Sequence, residues 1–332
     1  MKRRQACIAL SGFMAVTRAE AQRPDSDAWK IATAIASRYV APPTPHYVNA
    51  LLVSAQRCLG LHDMARHATT ALREAVNARG HAFPSDWPRL AGYAALAGDP
   101  AGAALAVQAL DSALVDTAAG PRLVGLRPWT DDLFLATLLV DSSLPLLPDR
   151  DRATTALAAA LLDLSARLQR PDGLFDHAEG SPVAWGRGNG FASLALAQAL
   201  AGPLRGSAAL LARLQSHLHA LLPLQGADGL WRQVLDRPEA KPELTVTAMS
   251  LTSLALSRRH GWLPAGAVDN AITRAWAGVQ SRIDGNGGFR DVCAGTPAGP
   301  TLDFYLQRPI VNGRDERAAA MVLMAWIAVG RL

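Results

Sequence analysis

Long stretches of the chain place apolar residues at helical spacing, and similar turns recur between them. "AGAALAVQALDSALVDT" at 101–117, "RATTALAAALLDLSARLQ" at 152–169 and "LRGSAALLARLQSHLHALL" at 204–222 each return apolar side chains every three or four positions. That is the period of a helix with one buried face. The turns share a form: "AGPRLVG" at 119–125, "PDGLFDH" at 171–177, "ADGLWRQ" at 227–233 and "GNGGFRD" at 285–291. Their glycines, Gly120, Gly173, Gly229 and Gly287, stand 53, 56 and 58 residues apart. A repeat of about 50–60 residues holding two helices is a helical hairpin, and a chain of about 310 residues accommodates five to six of them. Six hairpins can close into a ring, with inner helices around an axis and outer helices surrounding them. The prediction is an all-α protein, an (α/α)6 barrel of six helical hairpins. An open solenoid is the alternative, but solenoids use shorter repeats and polar end caps. No polar or proline-rich linker divides the chain, so residues 22–332 read as one barrel domain. The turns would gather at one end of the ring, and the polar and aromatic residues beside them would line a cleft.

Composition supports this picture. Of 332 residues 50% are apolar and only 6% aromatic, and a chain rich in alanine and leucine favours helix over sheet. No uncharged apolar run reaches the ~18 residues of a membrane span. The start, "MKRR" followed by "ACIALSGFMAV" and "TRAEAQ", has the basic, apolar and small-residue segments of a secretory signal ending at residue 21. The expected location is therefore the periplasm or the cell exterior. Residues 1–21 carry four basic side chains against one acidic, so a chain of net charge +5 keeps only +2 without them. With no Lys/Arg stripe interleaved by aromatics, nucleic acid is not an expected partner. Cys7, Cys58 and Cys293 form neither a disulfide framework nor a metal-ligand spacing, and His217 and His219 face different sides of a helix. No metal or other cofactor is expected.

Three clusters beside the turns carry chemistry: "DWPRLAGYAALAGDP" at 86–100, "RPWTDDLF" at 127–134 and "LFDHAEGSPVAWGRGNGF" at 174–191. Trp87, Trp129 and Trp185 stand near helix starts, where indole faces can support sugar rings. Asp86, Asp131, His177 and Arg187 offer an acid, hydrogen bonds and an anion clamp. Each has a plainer use as well. Aspartates at helix starts cap the helix, and Arg187 could pair with Glu179 or Asp176. Asp131 and Asp132, as helix neighbours, cannot both face one ligand. Gly186, Gly188 and Gly190 would allow close approach of backbone, either to another helix or to a ligand. "GRGNG" is not a phosphate loop, because it lacks the preceding strand and the Lys-Ser/Thr ending.

The order of these motifs is more specific than any one of them. W-x-D-D-L-F at Trp129–Phe134, His177, and W-x-R-G-N-G-F at Trp185–Phe191 are followed by "GLWRQVLD" at 229–236, "TAMSLTSLALSRRHGWL" at 247–263 and "YLQRPIVNGRDERAAAMVLMAW" at 305–326. From about Asp86 onward the chain resembles glycoside hydrolase family 105, the unsaturated rhamnogalacturonyl hydrolases and their unsaturated glucuronyl relatives. The resemblance implies an (α/α)6 barrel. It also implies a small oligosaccharide substrate, from whose non-reducing end a 4,5-unsaturated uronic acid is released by hydration of the double bond. In that chemistry an aspartic acid protonates carbon 4, water adds at carbon 5, and the resulting hemiketal opens. Carried over, Asp131 is the acid/base, Asp86 a second carboxylate, and His177 a hydrogen-bonding partner. Arg187 would take the uronate carboxylate through paired hydrogen bonds, with Trp185 stacking on the sugar. Asn189, Phe191, Trp129 and Trp231 would be further substrate contacts. The chain departs from the family at Phe191, where tryptophan is usual, and at Leu135, where methionine is common. Two rival readings are a sugar epimerase on the same barrel, which needs paired histidines, and a carbohydrate-binding protein without activity.

Overall fold

The repeat glycines mark where the chain reverses, and they do so in a conformation that suits only glycine. In the computed structural model, which describes residues 27–80 and 82–330, Gly120, Gly173, Gly229 and Gly287 have φ between 70° and 97°. The expected secretory leader lies outside the described residues. Three of the turns are built alike. Arg170 N–H donates to the Leu174 carbonyl, Gly226 N–H to Leu230 and Asp284 N–H to Gly288, at 2.8, 2.8 and 3.0 Å. In each, an aspartate carboxylate (Asp172, Asp228, Asp284) accepts from the backbone two residues on, the Asx-turn device.

The hairpins in chain order are α1 (Asp27–Arg38) with α2 (Tyr47–Cys58), α3 (His62–Ala78) with α4 (Trp87–Leu90), and α5 (Ala103–Asp111) with α6 (Thr130–Ser143). After these come α7 (Arg150–Leu168) with α8 (Gly186–Ala201), α9 (Ala208–Leu221) with α10 (Leu244–His260), and α11 (Ala265–Ser281) with α13 (Glu316–Val329). A short α12 (Leu302–Leu306) precedes α13, and α4 continues as 3-10 turns over Ala91–Leu96. The even-numbered helices α2 to α10, together with α13, form the inner ring. α2 packs on the continuation of α4, and that on α6; α6 packs on α8, α8 on α10, α10 on α13, and α13 returns to α2. The ring is closed, which excludes the open solenoid. Three two-stranded antiparallel ribbons decorate it: β1 (Leu114–Thr117) with β2 (Gly120–Leu123), β3 (Trp231–Arg232) with β4 (Pro242–Glu243), and β5 (Phe289–Cys293) with β6 (Ile310–Gly313).

The two layers differ as burial requires. Outer α9 buries only Leu210, Leu214, His217, Leu218 and Leu221, one stripe of an amphipathic helix. Inner α8 buries all of its residues, and α10 everything from Leu244 to Ser257. Such helices are apolar or small-polar all round, and their buried hydroxyls need partners. In α10 the hydroxyls of Thr247, Thr252, Ser253 and Ser257 each donate to the carbonyl four residues back, which satisfies them within the helix.

The turns also hold the hairpins together. A Cβ on Gly173 would stand 2.6 Å from the Ser216 carbonyl of α9, and one on Gly229 would collide with the Arg274 carbonyl of α11. Gln169 and Gln225 repeat one role: each donates to its turn-glycine carbonyl and to a carbonyl of the next outer helix, at Arg213 and Ala271. The third turn lies against Arg38, and the Tyr39 hydroxyl donates to Gly287 at 2.9 Å, so the outer layer closes as well. The aromatics that follow these turns, Phe175, Trp231 and Phe289, are all fully buried. Cys58 and Cys293 are not joined to each other by a disulfide. Among the described residues no helix is long and apolar enough to cross a membrane.

Candidate active site

Every hairpin brings its inner helix back in the same direction, so the inner N-termini meet at one end of the barrel. Loops lace that end laterally. Thr130 N–H, at the start of α6, donates to the His177 carbonyl, and Gly186 N–H, at the start of α8, donates to Gln233 ahead of α10. Helix N-termini present unpaired N–H groups and positive potential, an environment that favours an anion.

Asp131 is the single residue of α6 that is not buried; its side chain is 24% exposed. Asp132 turns the other way, as the helical angle demands. It is fully buried and accepts from Arg127 through backbone N–H (2.7 Å) and Nη2 (2.7 Å). Burial pushes its carboxyl up, and the Arg127 hydrogen bonds oppose this. The Asp131 Oδ2 atom is 3.4 Å from His177 Nε2 and 3.4 Å from Thr130 Oγ1. His177 is fully buried on the loop before α8, with its ring 4.3 Å from that of Trp185 and 5.4 Å from that of Trp129. Its Nδ1 is 2.6 Å from the Tyr305 hydroxyl. Because the His177 backbone is hydrogen-bonded to the first residue of α6, the carboxylate and imidazole are held at fixed separation. Trp129 is half-buried, with the Arg127 guanidinium 4.2 Å above its ring. These three sequence-derived residues, Asp131, His177 and Trp129, come together.

The others are spent inside the wall. Trp185 is buried against His177 and Tyr305, so its faces are covered by protein rather than open to a sugar. Arg187 is 3% exposed: its Nε donates to Thr245 Oγ1 at 2.8 Å, its Nη2 to the Cys293 carbonyl, and Glu243 Oε1 stands 3.5 Å from Nη2. The expected uronate clamp is thus already matched by an internal carboxylate. Glu243, the N-cap of α10, also accepts from the N–H groups of Thr245, Val246 and Cys293, so the pair is fully hydrogen-bonded as a buried ion pair must be. Asn189 joins Phe175 N–H and carbonyl to the Trp185 carbonyl; it pins the loop carrying His177 and makes no cleft contact. Trp231 is fully buried and donates Nε1–H to Leu221. Phe191 is core as well, stacked on Phe134 at 5.4 Å.

The glycines of "WGRGNG" have a packing explanation. Helical residues advance about 100° each, so alternate glycines face opposite neighbours. A Cβ at Gly186 would collide with Arg232 beside α10, one at Gly188 would sit 2.5 Å from Thr130 Oγ1 of α6, and one at Gly190 2.6 Å from Met249 Cε of α10. They seat α8 between α6 and α10.

Asp86 caps α4: its Oδ1 accepts from Arg89 N–H at 3.1 Å and its Oδ2 pairs with Arg89 Nε at 2.6 Å. Its charge reaches the site electrostatically, acting on Arg127 together with Asp131 and on His46. Sequence reasoning missed several neighbours. Tyr47, first residue of α2, lies within electrostatic range of Asp131, Arg187 and Arg317, and burial pushes its hydroxyl up to about 12. His46 caps α2 through Nδ1, and burial lowers its pKa. Arg317, in the first turn of α13, is 30% exposed and pairs with Asp315 at 3.1 Å. The only signals for these were a "PHY" ahead of an apolar helix and a charged "GRDER" opening the last one. Among the described residues no group of three His, Cys, Asp or Glu is placed to hold a metal ion.

The barrel is one shared with carbohydrate-active proteins. Residues 174–332 match the family model described as Glycosyl Hydrolase Family 88. The unsaturated rhamnogalacturonyl hydrolase YesR of Bacillus subtilis (strain 168) is 29% identical over 134 residues, which span 39% of this chain and 36% of that protein. A possible member of the GH105 family from Salmonella enterica serovar Paratyphi A superposes with a TM-score of 0.78 at 17% identity, over 93% of this chain and 96% of that one. An unsaturated glucuronyl hydrolase from Bacillus sp. GL1 does so with a TM-score of 0.68 at 15% identity, over 93% and 96%. The fold is therefore that of the GH88 and GH105 proteins, an (α/α)6 barrel.

Proposed function

We propose that the protein is a glycosidase that removes the 4,5-unsaturated uronic acid from the non-reducing end of lyase-generated oligosaccharides by hydrating its double bond. One observation carries this reading: the sole unburied residue of α6 is a carboxyl group, held beside a buried imidazole at the end where the inner N-termini converge. Asp131, protonated, gives its proton to carbon 4. Water adds its oxygen to carbon 5 and returns a proton to the Asp131 carboxylate. The hemiketal then opens, releasing the remaining sugar as the alcohol. The uronate carboxylate is met by helix N-terminal N–H groups and by Arg317 in place of Arg187. Trp129 offers an aromatic edge beside the ring, and Asp86 supplies a second negative charge. The named relative favours rhamnose as the adjoining sugar, and a secretory leader would bring the enzyme to the periplasm or cell exterior.

The test follows the ultraviolet absorbance of the conjugated uronate with unsaturated rhamnogalacturonan and unsaturated glucuronyl disaccharides. Absorbance should fall as sugar is released. Asp131→Asn should lower kcat about 10²–10⁴-fold with an unchanged circular dichroism melt. Unchanged absorbance on every substrate, or an active Asp131→Asn variant, would refute the reading.

A further inference from the structure

Tyr305 is fully buried on α12, 128 positions from His177 in sequence, yet its hydroxyl makes the shortest contact to that ring. We infer that Tyr305 is a positioning residue: its phenol donates to Nδ1, which fixes His177 as the neutral tautomer with its proton on Nε2, directed at Asp131. This rests on the proposed role of Asp131 for its kinetic consequences, but not for the tautomer itself.

Three observations support the direction of the bond. The Tyr305 oxygen already accepts the Gly299 N–H at 3.0 Å, so its own proton needs an acceptor; Ser181 Oγ is one candidate, and Nδ1, 2.6 Å away, is the more basic one. That separation suits an O–H donor and is shorter than usual for an N–H donor. The opposite tautomer would aim an Nε2 lone pair at the Asp131 carboxylate 3.4 Å away. Nε2 is buried and makes no hydrogen bond among the described residues, while Asp131 Oδ2 stands 3.4 Å away, within reach of a proton placed there once the contact tightens. Tyr305 is itself held: Ser181 Oγ donates to the Gly299 carbonyl at 2.5 Å and is hydrogen-bonded to the phenol, and Gln233 donates to the Tyr305 carbonyl.

The consequence is chemical. Asp131 bears a negative charge just after it gives up its proton, and an Nε2–H beside Oδ2 stabilises that carboxylate. The charged and titratable groups around the imidazole are Asp131 from α6, Tyr305 from α12, and Arg187 of α8 behind the Trp185 ring. Without the phenol the ring proton is free to occupy either nitrogen, and Oδ2 loses its fixed donor.

The experiment is 15N NMR of the histidine rings in the full chain, as wild type, Tyr305→Phe and Gln233→Leu, with steady-state kinetics for each. The wild type should show His177 as the Nε2–H tautomer. Tyr305→Phe should lose that tautomer preference and lose kcat about tenfold, with KM within about twofold. Gln233→Leu removes the hydrogen bond to the Tyr305 backbone carbonyl without touching the phenol and should leave the tautomer unchanged. An Nδ1–H signal in the wild type, or equal shifts in both variants, would overturn the inference. Absence of activity in all three with the tautomer as stated would instead reject the proposed reaction.

Discussion

Under the proposed function, the choice of arginine settles how the anionic end of a substrate would be held. Arg187 looked free because its partner, Glu243, lies 56 positions later at the start of another hairpin's inner helix, and no local pattern reveals a pairing across hairpins. Removing either partner would leave a buried charge uncompensated, at a cost of about 3–5 kcal/mol, so Arg187 variants report on folding before binding. Arg317 is the informative position. It is partly exposed at an inner N-terminus, and its charge reaches Tyr47 and His46. Arg317→Ala should raise KM about tenfold while changing kcat much less, measured by steady-state assay on the unsaturated disaccharide. A KM that does not move would return the role to the backbone N–H groups alone. Asp131 and His177 were legible as a pair because both sit in quoted motifs. Tyr305, Glu243 and Arg317 were not, since their function depends on which hairpins become neighbours.

Elements were read more successfully than side chains. The four glycine turns are where spacing located them, because a reversal with φ near +80° selects glycine whatever surrounds it. What spacing could not reveal was the second demand on them, contact with the next outer helix. This separates two substitutions that look alike in sequence. Gly60 has φ +79° with nothing near its absent Cβ, while Gly229 has φ +83° and the Arg274 carbonyl in the way. Gly60→Ala should cost about 1–2 kcal/mol, the intrinsic left-handed penalty, and Gly229→Ala about 2–4 kcal/mol more, by chemical denaturation. Equal losses would mean the turn-to-helix contact is slack. The aromatics next to these turns misled for a related reason. Their positions repeat because the repeat needs a core side chain there, as Trp231 shows by donating into α9's last turn.

At the scale of the whole molecule, ring closure makes local titrations global. With α13 packed on both α10 and α2, no hairpin is an end from which unfolding can start. A proton bound only on unfolding therefore registers in the overall stability. His217, buried on α9 with Nδ1 against the Gly173 carbonyl, has its pKa lowered by burial from 6.5 to about 4. Below pH 6.5 the unfolded chain takes up a proton that the folded chain refuses until about pH 4, so stability falls with pH across that window. Going from pH 7.5 to 5 should cost about 2 kcal/mol through this group. In His217→Gln, denaturation midpoints should lose correspondingly less over the same interval; an identical acid response would assign it to other groups.

The aromatic cluster of Tyr47, Phe134 and Phe191 has one more implication. These rings come from α2, α6 and α8, and α2 and α8 face each other across the ring. Phe134 and Phe191 stack at 5.4 Å while Tyr47 closes on them edge-on at 6.4 and 5.9 Å. Rings from opposite inner helices therefore meet across the barrel about one helical turn below the start of α6, and close its axis at that level. Under the proposed function, a saccharide entering at the inner N-termini meets this floor, so it presents a terminal unit and its product leaves the way it came. Phe191, where the resemblance to family 105 implies tryptophan, is part of that floor.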